Sequence, residues 1–302
     1  MKGRSGRRLV LTALALFVAR SESLDAQSAR LETSAPKSED GVLVGPLTRA
    51  DLQAPPFADW FQSRYKDYRT TPAEIEQLRG RLANVSIEAY FGTWCGDSRR
   101  QIPRLLRVLD DAGFDERRLS LYGLSNQANQ FKQSPGRQEA KRRIHRTPTI
   151  VLVRDGKEIG RVVETPEGTL EADVLRIVNG QGPAPKYGAE ALVNDIFIDT
   201  PASGFEAALQ AAIPAIEARS DPDSLWHYAE FDLLRNGRPA EARAVLELHL
   251  KSHPRSVQGH VLMGEALSAL GRKAEALASV ERALAIEPNN GRAKSLAESL
   301  RK

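Results

Sequence analysis

The chain has 302 residues, of which 41% are apolar and 27% charged, a composition that suits a globular protein with room for two domains. Its single cysteine excludes an internal disulfide and any all-cysteine metal site. The formal charge of +4 arises at the N-terminus, because without residues 1–23 the acidic and basic residues are equal in number. With no basic-aromatic stripe either, nucleic acid is not an expected partner.

Lys2, Arg4, Arg7 and Arg8 precede an apolar run from Leu9 to Ala19, after which Arg20, Ser21, Glu22 and Ser23 restore polarity. A run of that length is too short to span a bilayer and reads as a signal peptide over residues 1–23. The expected location is periplasmic or secreted, with no stable membrane anchor after cleavage. Residues 24–50 are rich in Ser, Pro, Glu and Lys without periodicity and read as a disordered tether.

Phe57, Trp60, Phe61, Tyr65 and Tyr68 recur at helical spacing and predict a helix with an aromatic face that packs as core. Thr71-Pro72 starts a second helix reaching to about Ala83. Alternation at Val85, Ile87, Ala89 and Phe91 predicts a strand. The helix after Cys95 carries Ile102, Leu105, Leu106 and Leu109 on one face and ends at Gly113. A strand over Leu119–Leu124 and a basic helix over Gln138–Ile144 follow. Thr149–Val153 and Glu158–Val163 flank Asp155-Gly156, a two-residue hairpin signal, and Leu170, Val174, Leu175 and Ile177 mark a last amphipathic helix. The order αβαβαββα describes a sheet covered by helices. The basic cluster from Lys141 to Arg146 reads as a solvated helix face, and His145 as a surface histidine.

The segment Phe91-Gly92-Thr93-Trp94-Cys95-Gly96-Asp97-Ser98 closes a strand and opens a helix, and Pro103 follows eight residues after Cys95. With Thr147-Pro148-Thr149 and the Asp155-Gly156 turn, this combination resembles the thioredoxin family over roughly residues 72–180. The resemblance implies a mixed α/β fold of a central sheet flanked by helices. It makes Cys95 the catalytic thiol, Trp94, Gly96, Asp97 and Ser98 the active-site turn, and Thr147 with a cis Pro148 the loop that pairs with substrate backbone. A thiol at a helix N-terminus is favoured as thiolate by the helix dipole, and Arg99, Arg100 and Arg146 are candidate stabilisers.

Three departures matter. Ser98 stands where dithiol members keep their resolving cysteine, so Cys95 would need an external thiol. Ala89 replaces a buried acid, and the neighbouring Glu88 belongs to the opposite strand face. Glu164 replaces a glycine beside the active site, where it would modulate the Cys95 pKa or stand as a solvated edge charge.

Gly180–Pro185 reads as a hinge closing a domain of residues 51–182, and residues 183–222 as a helical connector interrupted around Asp199–Ser203. Beyond it Gly237, Glu241, Ala242 and Pro254 recur 34 residues later as Gly271, Glu275, Ala276 and Pro288. That period, with Trp226, Gly264 and Ala283 in place, resembles the tetratricopeptide repeat over residues 223–302, the last twelve forming a polar cap. In the first copy Glu230 takes the place of a glycine and His249 that of an alanine.

These features support an exported thiol–disulfide oxidoreductase working through one nucleophilic cysteine. Its expected partners are protein thiols or disulfides, or a low-molecular-weight thiol, and a protein bound at the repeats. No cofactor and no metal is expected, since His227, His249, His253 and His260 lack ligand spacing. A competing reading is a redox-inactive scaffold of the same fold. A third, an iron–sulfur monothiol glutaredoxin, is disfavoured by Trp94 and Asp97.

Overall fold

The computed structural model describes residues 41–182, 186–219 and 224–302. The expected signal peptide, the tether up to residue 40, part of the expected hinge and the end of the connector lie outside the described residues.

Five strands form one mixed sheet in the order β1-β3-β2-β4-β5. The central strand β2 (Val85–Phe91) runs parallel to β3 (Leu119–Gly123) and antiparallel to β4 (Thr149–Arg154). The hairpin partner β5 (Lys157–Val163) continues the sheet beyond β4, and Asp155 and Gly156 both have positive φ, as a two-residue hairpin turn requires. The outer strand β1 (Gly45–Leu47) pairs antiparallel with β3. This corrects the expected tether: Leu43 and Leu47 are buried core residues, and helix α1 (Arg49–Gln53) follows, closed by a Thr48–Asp51 capping box.

Helices α2 (Ala58–Asp67), α3 (Pro72–Leu78), α4 (Gly96–Asp111) and α6 (Leu170–Val178) supply apolar side chains to one core cluster with Ile87, Ala89, Phe91, Ile150, Leu152 and Val162 of the sheet. The aromatic face of α2 is core, as its spacing predicts: Phe57 and Phe61 are buried, and Trp60, Tyr65 and Tyr68 pack around them. α3 stops before Arg79, earlier than expected, and residues through Asn84 form turns. Similarly, α5 covers only Gln138–Lys141.

On the opposite sheet face Tyr90 stacks on Tyr122, and Glu88 accepts from Tyr90 Oη and from two Arg142 nitrogens at 2.7–2.8 Å. Burial raises the Glu88 pKa, but these hydrogen bonds outweigh it and hold the carboxyl below its ordinary value. The Lys141–Arg146 stretch is therefore no solvated face: Arg142 pairs with Glu88, and Arg143 with Asp195 and Asp199.

The remainder is all helical. α7 (Gly188–Asp199) and α8 (Ala202–Glu217) break where Thr200-Pro201 prevents continuation. α9 (Leu225–Tyr228) runs into a π-turn over Ala229–Leu233, and α10 (Pro239–Ser252), α11 (Val257–Ala269), α12 (Lys273–Ile286) and α13 (Gly291–Arg301) complete the chain. Gly237 and Gly271, one period apart, both take positive φ after a helix end. At Gly264 a Cβ would lie 2.4 Å from Val280 Cγ2, so glycine is what lets α11 and α12 approach. Glu230 occupies the matching place one period earlier, and there the helix widens into the π-turn while the carboxylate bonds Arg292 at 2.7 Å.

Candidate functional site

Strand β2 ends at Phe91, and the next four residues turn the chain so that Cys95 becomes the N-cap residue of α4. Ser98 Oγ, buried in the first turn, accepts the Gly92 N–H at 3.2 Å and fixes the turn. Trp94 donates its indole N–H to the Leu124 carbonyl at 2.8 Å and packs on Phe131 at 4.8 Å between ring centres. Pro103 sits inside α4 without ending it.

The Thr147–Pro148 peptide is cis, and the thiol of partly exposed Cys95 donates to the Thr147 carbonyl oxygen at 3.4 Å. Residues 52 positions apart in the chain thus meet at one point. Thr149 Oγ1 donates to the Arg146 carbonyl at 2.7 Å, and the Pro148 carbonyl accepts from the Glu164 N–H at 2.7 Å, so the loop is tied on both sides.

The three arginines expected to favour a thiolate are each engaged elsewhere. Arg99 donates to the Thr93 carbonyl at 2.6 Å and lies over the Trp60 ring. Arg100 pairs with Asp97, one helical turn back. Arg146 pairs with Glu164 at 3.1 Å and, through two nitrogens, with the fully buried Glu190 of α7, while lying 4.0 Å from the Tyr187 ring centre. Burial works against the Arg146 charge, but the two carboxylates more than compensate and keep it ionised.

Glu164 is no solvated edge charge. Its backbone adopts φ +57°, a conformation glycine takes at less cost, and its carboxylate binds Arg146 and accepts from Tyr187 Oη at 2.6 Å. His145, expected at the surface, is buried, and its ring meets the Arg143 backbone. Burial, aided by the nearby Lys132 ammonium, pushes its pKa down to about 3, so it stays neutral.

Sequence reasoning missed the joint between the sheet unit and the helices beside this turn. The loop after β3 docks on the π-turn segment: Asn129 donates to the Arg235 carbonyl at 2.7 Å, and Phe131 exchanges hydrogen bonds with the Asn236 side chain. Phe131 also contacts Phe231, so an aromatic series runs from Trp94 into the helical region. Lys132 pairs with Asp232 at 2.9 Å within this contact. The available signal was slight: Phe131 and Lys132 stand together in an otherwise polar loop that is longer than the connection needs.

The helical region carries a second candidate function. Residues 233–300 match the family model described as tetratricopeptide repeat. The repeats are stacked as nearest neighbours, with Ala242, Ala276 and Ala283 fully buried where helices cross. Such arrays serve protein interaction, and that role is assigned to this region. No curated protein and no solved structure matches the chain. Among the described residues no helix is long and apolar enough to cross a membrane, and no group of three His, Cys, Asp or Glu is placed to hold a metal ion.

Proposed function

We propose that the chain is an exported, thioredoxin-like thiol–disulfide oxidoreductase that acts through Cys95 alone, with the repeats holding a protein partner. The observation that carries this reading is the meeting of Cys95 Sγ, in a partly exposed residue at the start of a sixteen-residue helix, with the carbonyl that precedes Pro148. In the reaction the Cys95 thiolate attacks one sulfur of a substrate disulfide. The S–S bond breaks, the second sulfur leaves as a thiolate, and a mixed disulfide forms on Cys95. With a hydroxyl at Ser98 the chain offers no second thiol, so an external thiol attacks the adduct and releases Cys95 reduced.

The test is incubation of the purified chain with oxidised glutathione, followed by intact-mass measurement. A single adduct on Cys95, removed by dithiothreitol and absent in Cys95→Ala, is expected. A native chain that stays unmodified while its urea-unfolded form is labelled would overturn the reading. Export is tested separately, by finding a C-terminally tagged chain outside the cytoplasm and shortened near residue 23.

One set of contacts favours the second reading, a redox-inactive scaffold. The thiol donates to a carbonyl, the Ser98 hydroxyl is committed to the Gly92 N–H, and Arg99, Arg100 and Arg146 all have other partners. In that case Cys95→Ala leaves partner capture by the repeats unchanged, and no adduct forms on the folded chain.

A further inference from the structure

A groove of about 800 Å³ crosses the repeats, walled by α10 and α12 and floored by α11, within the size range of ligand clefts, about 300–1,000 Å³. Leu250, Met263, Leu267 and Ile286 give it an apolar lining. The charges on its rim are unequal. Glu275 is paired with Arg272, and Glu247 with Arg243, which also binds Glu206, so each rim acid has a cation partner. Lys251, Arg255 and Arg282 are exposed and have no carboxylate partner among the described residues. The groove therefore presents three uncompensated cations around an apolar trough.

We propose that this groove binds an acidic peptide segment that inserts at least one large aliphatic side chain between α10 and α12. Apolar burial supplies the attraction in the trough, and the rim cations set the sign of the charge accepted. His260 is buried beneath the trough, its Nε2–H donating to the Pro254 carbonyl at 2.9 Å, so it supports the loop between α10 and α11. Single-stranded nucleic acid fits less well, because no Phe, Tyr or Trp lines the groove for base stacking. The proposal rests on the protein-binding role of the repeats and is independent of Cys95 chemistry.

The test uses the full chain and two fluorescein-labelled synthetic peptides with the same leucine positions, one spaced by Asp and Glu, the other by Lys. Fluorescence anisotropy should show binding of the acidic peptide only, weakening as salt rises. Arg255→Glu with Arg282→Glu should weaken it about tenfold or more, since each reversal replaces an attraction by a repulsion. Both positions are exposed, and Lys251→Glu alone provides an independent check by weakening binding in the same direction. Cys95→Ala should bind as the parent does, so failure here leaves the redox reading standing and failure of that reading leaves this one. Equal binding of both peptides, or binding indifferent to all three substitutions, would overturn the proposal. So would self-association of the chain that these substitutions abolish, because the groove would then belong to a second copy.

Discussion

The Lys132 ammonium lies 2.9 Å from the Asp232 carboxylate, and the two side chains are only 6% and 12% exposed. The same ammonium donates to the His145 carbonyl at 2.6 Å, so one cation ties the repeats, the loop after β3 and the segment leading to Pro148 together. Lys132→Met strands the carboxylate in the interior and should cost about 3–5 kcal/mol. Lys132→Met with Asp232→Leu removes both charges and should recover most of that loss, as read from denaturant midpoints. If the double variant is as unstable as the sum of the singles, the pair is not coupled.

Two buried groups give the stability opposite pH dependences. His145 falls from 6.5 in the unfolded chain to about 3 in the fold, through burial. Between those values the unfolded chain binds more protons, so this contribution is complete above pH 6.5 and is lost as pH falls towards 3. At pH 5 the loss from His145 is roughly 2 kcal/mol. Asp232 rises from 3.8 to about 6, again chiefly by burial, so its contribution is complete below 3.8 and is lost as pH rises through 6. His145→Phe should therefore flatten the acid limb of a pH–stability curve, and Asp232→Asn should steepen it.

Gly264 permits the close crossing of α11 and α12. Gly264→Ala places a methyl group 2.4 Å from Val280 Cγ2 and 3.3 Å from the Ala276 carbonyl, and should destabilise the repeats by about 1–3 kcal/mol. Val280→Ala should restore part of that loss in the double variant, since it removes the nearer atom. A melting temperature that Gly264→Ala does not lower would mean the helices separate freely.

Local patterns carried most of the sheet unit into view. Alternation along Val85–Phe91, the Asp155-Gly156 turn and the periodicity after Cys95 each encode an element through neighbouring residues. Strand β1 escaped because three residues are too few to alternate and its pairing with β3 is a contact between distant segments. The meeting of Cys95 with the Thr147-Pro148 loop was expected only through the resemblance to the thioredoxin family, since no local pattern links positions 52 residues apart. The partners of Arg146 and Lys132 were not: Glu190 and Asp232 lie 44 and 100 residues away, and no periodicity links positions that only the packed helices bring together.

Arg146 holds two carboxylates that should respond differently to removal. Glu190 is fully buried, so Glu190→Ala leaves the guanidinium with one partner in a solvent-poor site and should cost about 3–5 kcal/mol. Glu164 is partly exposed and strained at φ +57°. Glu164→Gly loses the contacts with Arg146 and Tyr187 but relaxes a backbone that costs a residue with a Cβ about 1 kcal/mol or more, so the two effects should nearly cancel. Thermal unfolding of the two variants, side by side, decides this. Equal losses would mean that the ion pairs contribute alike whatever their burial, and that Arg146 is held by charge alone.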